Sequence, residues 1–396
     1  MAVITIDAPA WDLLINGRQL PRDRRPFVRS ISVEATIDGA DELTIEVDAF
    51  DSAQRKYIFL GEDLLAVGNQ VVPRFGYGNE LLGLQRFYLV REEGHFPDGG
   101  TPTATIRGYS FEHYLAEGKA PRVFPASMTD ADIAKALAAE YGLTVTSSSV
   151  ETTGRRQSGR VKEKGKSDLE FLQGLAAANG FGPPVIRWDE KTGQEVLHFR
   201  TQSLANQDSK ATFVYDVWAA GSDLQAGNLL SFDPVMNLAG VPTKIEITGH
   251  DKARQEDFVV VVEITDSGQK STLFSGDQIK ALRAPKSGAQ HKSANKKAAT
   301  KENVPQVKLT TVDDALAFAK LWLKTRNEAY MTARARTVGW NGLWVGQVHE
   351  FTGLPTTYNG LWELLQVSHR MDEGGYSCEL DLARVMTEAA EPKESS

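Results

Sequence analysis

Residues 67–90, VGNQVVPRFGYGNELLGLQRFYLV, share their spacing with residues 345–367, VGQVHEFTGLPTTYNGLWELLQV. Both segments contain Val-Gly, a strand, Gly, six residues, Gly-Leu, five residues and Val, and only the first interval differs, by one residue. The shared glycines are Gly68, Gly76, Gly83, Gly346, Gly353 and Gly360. A one-residue difference in an otherwise matched strand is typical of a β-bulge. The spacing therefore predicts two copies of one β-hairpin, each in its own small barrel or sandwich.

The segments around the first copy alternate apolar and polar residues, as half-buried strands do. FVRSISVEATIDGADELTIEV (27–47) predicts two strands around a turn, and QVVPRF, QRFYLV and TATIRGY predict three more. A short helix is predicted near 51–59. KIEIT and FVVVVEI predict two strands between residues 206 and 265.

Two short helices are predicted between residues 119 and 205, in MTDADIAKALAAEYGL (128–143) and KSDLEFLQGLAAANGF (166–181). In the second, Ser167 and Glu170 have the spacing of a capping box. Leu172 and Leu175 lie on one apolar face, and Gly180 can take the left-handed conformation that ends many helices. With a hairpin predicted in PVIRW and EVLHFR, this region reads as a compact α/β insert.

The predicted fold class is mainly β with an α/β insert. The predicted segments are a first β-barrel domain (1–118), the α/β insert (119–205), strands of a second barrel region (206–265), a flexible polar loop (266–311), a helix (312–333), the closing hairpins of the second β-barrel (334–386) and a disordered tail (387–396). The loop is predicted because its polar, small residues offer too little apolar surface to order it.

Composition excludes several classes of protein. The 396 residues carry a formal charge of -8, whereas general nucleic-acid binders usually show a basic surface. One cysteine, Cys378, excludes an internal disulfide framework. No signal-like leader and no apolar run of ~18 residues is visible, so synthesis in the cytoplasm and no membrane span are expected.

The sequence predicts no catalytic, cofactor or metal site. GYGNELLG (76–83) lacks the G-x-G-x-x-G spacing of a dinucleotide loop. Ser110 lacks the second glycine of a nucleophile elbow, and the seven histidines show no paired zinc-ligand spacing. Cys378 is predicted to be a small, half-buried thiol.

A cluster of basic residues lies in GRRQSGRVKEKGK (154–166). It comprises Arg155, Arg156, Arg160, Lys162, Lys164 and Lys166. Such a cluster is either a solvated face or a contact for an acidic partner protein, and both interpretations stay open.

KSDLEFLQGLAAANGF resembles the signature S-D-[WL]-E-F-L-x-x-L-A-x-x-x-G-[FY] of the phage late control D family. That family comprises hub proteins of contractile phage tails and injection systems, including the hub portion of type VI spike proteins. The matching residues are Ser167, Asp168, Glu170, Phe171, Leu172, Leu175 and Gly180. FTGLPTTYNGLWELLQVSHRMDEGGYSCELDLARV resembles the family's last barrel, with His369, Gly374 and Gly375 at matching positions. The resemblance extends from about residue 27 to 385.

The resemblance implies two related small β-barrels flanking an α/β domain, in a homotrimer that forms a ring. Two barrels in each of three chains would match a hexameric tail tube on one side and a trimeric spike on the other. The implied function is a non-enzymatic baseplate hub of a contractile tail, with DNA or effector as cargo in a central channel. Tape-measure and baseplate wedge proteins are further implied partners, and the implied location is the virion tail baseplate.

The chain ends soon after its last predicted strand, so the spike is expected to be a separate polypeptide of a phage, tailocin or related particle. An acidic channel wall is also expected, because it would repel DNA phosphates. Two alternatives remain: the hub of a non-contractile, siphophage-type tail tip, and a tail-associated cell-wall hydrolase.

Overall fold

The computed structural model describes residues 8–385, except residues 38, 155–158, 202–210, 217–227, 237–243, 252–254, 266–267, 276–311, 313–314, 317 and 320–330. Two compact units are present. The first comprises Met1–Gly174, Gly182–Pro234 and Ala333–Leu382, and the second comprises Leu175–Phe181, Val235–Thr332 and Ala383–Ser396. The predicted tail at 387–396 lies outside the described residues.

Strands account for most of the regular structure, which confirms the mainly β prediction. The strands before the helices are β1 (Pro9–Ile15), β2 (Arg18–Gln19), β3 (Val28–Thr36), β4 (Glu42–Asp48), β5 (Phe50–Asp51), β6 (Lys56–Tyr57), β7 (Gln70–Tyr77), β8 (Glu80–Gly83), β9 (Phe87–His95) and β10 (Thr103–Tyr109). Short 3-10 helices cover Arg25–Phe27 and Asp63–Leu65.

The later strands alternate with helices at first and then follow one another. They are β11 (Arg122–Phe124), β12 (Arg160–Lys162), β13 (Val185–Asp189), β14 (Gln194–His198), β15 (Thr212–Val214), β16 (Leu229–Met236), β17 (Lys244–Asp251), β18 (Glu256–Thr265), β19 (Gly268–Ser275), β20 (Met331–Val338), β21 (Val348–Thr352), β22 (Gly360–Asp372) and β23 (Gly375–Arg384). The helices are α1 (Glu112–Glu117), α2 (Asp130–Glu140) and α3 (Asp168–Ala178).

Both predicted insert helices are present and begin with capping boxes. The Ser167 hydroxyl accepts from the Glu170 amide at 3.1 Å, and the Glu170 carboxylate accepts from the Ser167 amide at 2.7 Å. Thr129 and Asp132 make the same exchange at the start of α2. Phe171, Leu172 and Leu175 are buried, and α3 ends before Gly180, whose φ is +71°.

Three element predictions are wrong in part. Residues 51–59 form no helix. The Asp51 carboxylate accepts hydrogen bonds from the amides of Ala53 and Gln54, which closes a turn between β5 and β6. The predicted loop starts too early, since residues 268–275 form β19, and the rest of it lies outside the described residues. Strands β17 and β18 pair with β19 in a separate sheet instead of joining the second barrel region.

This separate three-stranded sheet has its own core. Its strand order is β17-β18-β19, and the FVVVVEI run forms the central strand. Ile245, Val260 and Val262 pack against helical residues Ala315 and Ala319. These helical residues lie in the predicted helix at 312–333, most of which falls outside the described residues.

The large sheet contains fourteen strands, eleven of them in the order β16-β20-β23-β22-β3-β4-β10-β9-β7-β1-β2. Off this path, β21 pairs with β22 and β15, and β8 pairs with β7. One face of the sheet is apolar and buried, with Ile31, Ile45 and Ile106 side by side on β3, β4 and β10. The sheet therefore contributes most of the core of the first unit.

Candidate assembly interface

The large sheet contains the same five-strand topology twice. In the first copy, strands β3, β4, β7, β9 and β10 follow this sequence order but lie in the sheet order β3-β4-β10-β9-β7. In the second copy, β16, β20, β21, β22 and β23 lie in the order β16-β20-β23-β22-β21. The position of each strand in the sheet therefore matches that of its counterpart in the other copy, which supports the internal repeat predicted from sequence.

The Val-Gly turns that open the two hairpins have matching geometry. The Gly68 amide donates to the Leu89 carbonyl at 2.7 Å, and the Leu89 amide donates to the Asn69 carbonyl at 2.9 Å. In the second copy Gly346 and Gln347 make the same two bonds with Leu364, also at 2.7 and 2.9 Å. Both glycines have positive φ, +95° and +75°. Leu89 and Leu364 are therefore equivalent positions.

The other shared glycines are not equivalent, which corrects the alignment made from spacing. Gly83 precedes Leu89 by six positions, whereas Gly360 precedes Leu364 by only four. Gly76 lies inside β7 opposite Leu81, whereas Gly353 follows β21 with a φ of +76°. The cause is β8, which adds a short strand to the first hairpin only. Because the offset is two residues, the alternation of faces is preserved.

We expect Gly68→Ala and Gly346→Ala each to lower the free energy of unfolding by about 1–2 kcal/mol, because alanine is strained at positive φ. No atom lies within 4 Å of a Cβ built on Gly68, so its cost is backbone strain alone. Urea denaturation of both variants checks the values. Gly99→Ala, at a loop glycine with φ +73° and equally open space, is the matched control for strain outside the repeat. A cost at Gly346 but none at Gly68 would contradict the equivalence of the turns.

One antiparallel ladder joins the two copies. Residues 366–371 of β22 pair with residues 31–36 of β3, from Gln366 opposite Thr36 to Met371 opposite Ile31. In the first copy, β9 is the counterpart of β22, and only Phe87 and Tyr88 of it pair with β7. Among the described strands, none pairs with that edge of residues 91–95. The counterpart of β3 is β16, which ends the strand order.

The face of the sheet opposite the core is polar across five strands. One row of paired residues contains Arg370, Ser32, Thr44, Arg107 and Arg91. The described charged residues of this face are six carboxylates (Glu34, Glu42, Glu46, Asp48, Glu93 and Asp372) and four arginines (Arg29, Arg91, Arg107 and Arg370). A cleft of about 720 Å³ crosses the β3–β22 junction on the same side. The face is therefore hydrophilic and slightly acidic.

His369 lies fully buried on the apolar face. Its Nε2 is 3.0 Å from the Leu343 carbonyl oxygen, and its Nδ1 is 2.8 Å from the Tyr376 hydroxyl and 3.2 Å from the Cys378 sulfur. A carbonyl only accepts, so Nε2 carries the proton and Nδ1 accepts from Tyr376. Burial lowers the pKa of His369 to about 4 and raises that of Cys378 to about 12.

Cys378 and His369 are the residue types of a thiol nucleophile and its base. Their shifted pKa values, however, do not favour the thiolate and imidazolium forms that such a pair uses. Both side chains have no exposed surface, so Cys378 is more buried than the half-buried thiol predicted from sequence. A nucleophilic cysteine needs a thiolate, and both groups are neutral here. The pair is therefore a hydrogen-bonded part of the core, next to the turn formed by Gly374 and Gly375.

Asp168, the second residue of the helix motif, anchors the insert. Its carboxylate accepts from Lys162 Nζ at 2.6 Å, from the Tyr141 hydroxyl at 2.7 Å and from Arg122 at 3.3 Å. Lys162 also donates to the Gly118 carbonyl at 2.7 Å. Asp168 and Lys162 have no exposed surface, so this is a buried ion pair.

The structure describes four of the six basic residues for which a partner contact stayed open, and it buries one of them, Lys162. Lys162 points into the insert, and Arg160 makes a two-pronged ion pair with Asp130 at 2.9 and 2.8 Å. Both side chains form ion pairs that hold the insert together, and Lys162 has no exposed surface with which to contact a partner. Lys164 is exposed and Lys166 half-buried, while Arg155 and Arg156 lie outside the described residues.

A second buried polar cluster, which the sequence did not reveal, ties the β13–β14 hairpin to the large sheet. Glu112 accepts from the Ser110 hydroxyl and from the Ile186 amide, both at 2.7 Å. Burial raises the pKa of Glu112, and burial with the nearby Glu112 charge raises the pKa of Asp41 well above its usual range. Burial lowers the pKa of the neighbouring Arg187 to about 10. No spacing signal marks this cluster, because its members are distant in sequence.

Gln85 strengthens the same attachment. Its side-chain amide donates to the Ile186 carbonyl and accepts from the Trp188 amide, each at 2.7 Å. It thus pairs with β13 as the backbone of another strand would.

Among the described residues, no group of three or more His, Cys, Asp or Glu side chains could hold a metal ion. The described helices include none with the length and apolar character needed to cross a membrane.

No protein-family model matches the chain, and no curated protein matches it. Several solved structures are similar to the chain. A tail protein from Neisseria meningitidis is similar over 95% of this chain and 97% of its own, with 13% identity and a TM-score of 0.60. The 43 kDa tail protein of prophage MuSo2 from Shewanella oneidensis is similar over 94% and 97%, with 12% identity and a TM-score of 0.61.

The E. coli c3393 protein is similar over 96% of this chain and 80% of its own, with 9% identity and a TM-score of 0.52. It is a component of the type VI secretion system and is described as similar in structure to the T4 bacteriophage tail proteins gp27 and gp5. At these identities the likeness concerns the fold. The chain therefore has the fold of phage tail proteins and of a type VI secretion component, as the late control D resemblance implied.

Proposed function

We propose that the chain is the structural hub of a contractile phage tail or tail-like particle. In this role it forms a homotrimeric ring that joins a hexameric tail tube to a separate trimeric spike, and it needs no catalytic activity. The observation that carries the proposal is the duplicated five-strand topology. A chain with two equivalent sheet segments presents six similar surfaces in a trimer, which is what an adapter between six-fold and three-fold partners requires.

The tail-protein fold supports this role, because the similar structures are themselves tail proteins and a type VI secretion component. In the proposed ring each copy contributes to a small barrel, and the α/β insert stands outside the sheet. The proposed location is the baseplate of the virion tail. Tape-measure and wedge proteins are further partners under this proposal.

The polar face of the sheet is the proposed channel wall. It exposes hydroxyls, carboxylates and guanidiniums and buries its apolar side chains in the core. Ion pairs on this face, such as Arg91 with Glu93 at 2.6 Å within β9, neutralise part of the charge. The excess of carboxylates gives weak repulsion of DNA phosphates, so that passing DNA is not held.

The native mass of the purified chain tests the proposal. We expect three chains of 43.4 kDa, about 130 kDa, alone or with the product of a neighbouring spike-like gene. Electron microscopy of that particle is expected to place Glu42 and Glu46 on the inner wall. A monomer under both conditions would remove the hub proposal, and peptidoglycan clearing by that monomer would favour the tail-associated hydrolase instead. A trimer with these residues on its outer surface would remove only the channel assignment.

A further inference from the structure

The two copies of the repeated topology are joined inside the chain in a defined way. The fourth strand of the second copy, β22, pairs with the first strand of the first copy, β3. The corresponding strands on the other side, β9 and β16, have no such partner among the described strands. The chain thus contains one junction that is formed, between β22 and β3 (the made junction). It also contains the two separate halves of a second junction, on β9 and β16 (the unmade junction).

We infer that β16 of one chain pairs antiparallel with residues 91–96 of the next chain, reproducing the β22–β3 ladder between subunits. The inference rests on the proposed ring and names the strands that close it. The contact is heterologous, since β16 differs from its partner strand, and repeating such a contact closes a ring when the rotation per chain is a simple fraction of a turn.

The alignment at the turns identifies the edge on β9. Leu89 corresponds to Leu364, so residues 91–96 correspond to residues 366–371, which form the ladder with β3. Both strands shift the alternation of their side chains at equivalent places. A bulge interrupts the β9–β10 ladder next to Leu89, and in β22 burial passes from Trp362 and Leu364 to Val367 and His369.

Exposed apolar side chains lie at both halves of the unmade junction. Phe96 corresponds to Met371, which is 4% exposed beneath the made junction, whereas Phe96 is 62% exposed. It contacts Tyr57, which is 54% exposed, with ring centroids 6.0 Å apart. Large aromatic rings contribute most of their stabilisation only when they are covered.

Strand β16 is covered only in part, since Leu229 is 4% exposed but other apolar side chains are not buried. Its counterpart β3 buries Ile31 and Val33 almost completely, whereas Leu230 of β16 is 51% exposed and Val235 is 59% exposed. Unpaired strand edges in soluble proteins are usually blunted or covered. Pro234 has no N–H to donate, so the intermolecular ladder is expected over Leu229–Asp233.

Cysteine cross-linking tests the strand assignment. Four double variants place one cysteine on β9, Arg91→Cys or Glu93→Cys, and one on β16, Ser231→Cys or Asp233→Cys. Facing cysteines join when their Cα atoms lie about 4.4–6.8 Å apart. Under mild oxidation we expect at least one double variant to form covalent dimers and trimers, with trimer as the largest species. Cys378 stays unchanged because it is fully buried.

The matched control combines Glu93→Cys with Glu34→Cys on β3, whose edge is already occupied by β22. No cross-link is expected there, nor in the single variants. A native trimer in which none of the four pairs cross-links would overturn the strand assignment and leave the ring intact. Cross-linked particles whose native mass differs from that of three chains would support the junction between β16 and β9 but overturn the threefold ring. A monomer without cross-links would overturn both.

Discussion

Asp168→Ala is expected to lower the stability of the α/β insert by about 3–5 kcal/mol, the usual cost of removing one partner from a buried ion pair. The substitution leaves the Lys162 ammonium without exposed surface, and among the described residues the Gly118 carbonyl is then its remaining acceptor. The Tyr141 hydroxyl loses its acceptor as well. Native-state hydrogen exchange of the α2 and α3 amides measures this local free energy without requiring the whole chain to unfold in one step.

The double variant Lys162→Met with Asp168→Leu is the informative control. It removes both charges and fills their space with apolar side chains, and such replacements are often neutral for stability. We expect it to be more stable than Asp168→Ala. Glu163→Gln, on an exposed side chain in the same segment, is expected to change nothing. If Asp168→Ala costs less than about 1 kcal/mol, the ion pair does not anchor the insert.

Acid is expected to destabilise the large sheet between pH 6.5 and pH 4. Burial lowers the pKa of His369 and of His349 to about 4, from an ordinary value near 6.5. A histidine with a lowered pKa in the folded state contributes stability above its unfolded pKa and loses it as the pH falls towards the folded pKa. A difference of about 2.5 pKa units corresponds to on the order of 3 kcal/mol for each histidine.

Denaturation by urea at pH 7 and at pH 4.5 measures this loss. His369→Gln and His349→Gln are each expected to reduce the difference between the two pH values, whereas His95→Gln, on an exposed side chain, leaves it unchanged. Asp41 and Glu112 act with the opposite sign, because their raised pKa values make the folded state more stable as the pH falls. An unchanged difference in both buried variants would contradict the histidine explanation.

The sequence predicted local features well where the signal is local. Ser167 and Glu170 are three residues apart, and the capping box they form depends on nothing else. The Val-Gly turns were equally visible, because a left-handed residue before a strand favours glycine. The spacing of later glycines misled the alignment, since β8 lengthens one hairpin and no local pattern marks where Gly83 pairs.

Long-range contacts could not be predicted from the same patterns. Lys162 reads as part of a solvated basic run, and only the fold brings it onto Asp168. The cluster of Glu112 and Arg187 depends on how β13 is held by Gln85, more than 100 residues away in sequence. The FVVVVEI run indicated a buried strand correctly, but nothing in it specified which sheet would contain that strand.

The two strands of the internal junction, β3 and β22, lie far apart along the chain. This distance sets the order in which the ladders of the sheet can form during synthesis. Strand β3 ends at residue 36, and its partner β22 is complete only at residue 372. The first copy of the topology can close all its own ladders once residue 109 has left the ribosome, yet one edge of β3 waits until residue 372 has been made. The entropic cost of closing a loop rises by about 0.6 kcal/mol for each doubling of its length, and this loop cannot begin to close until β22 has been made. The nascent protein therefore carries an open edge from the completion of β3 until the completion of β22, and the junction between the copies is among the last parts of the sheet to be made.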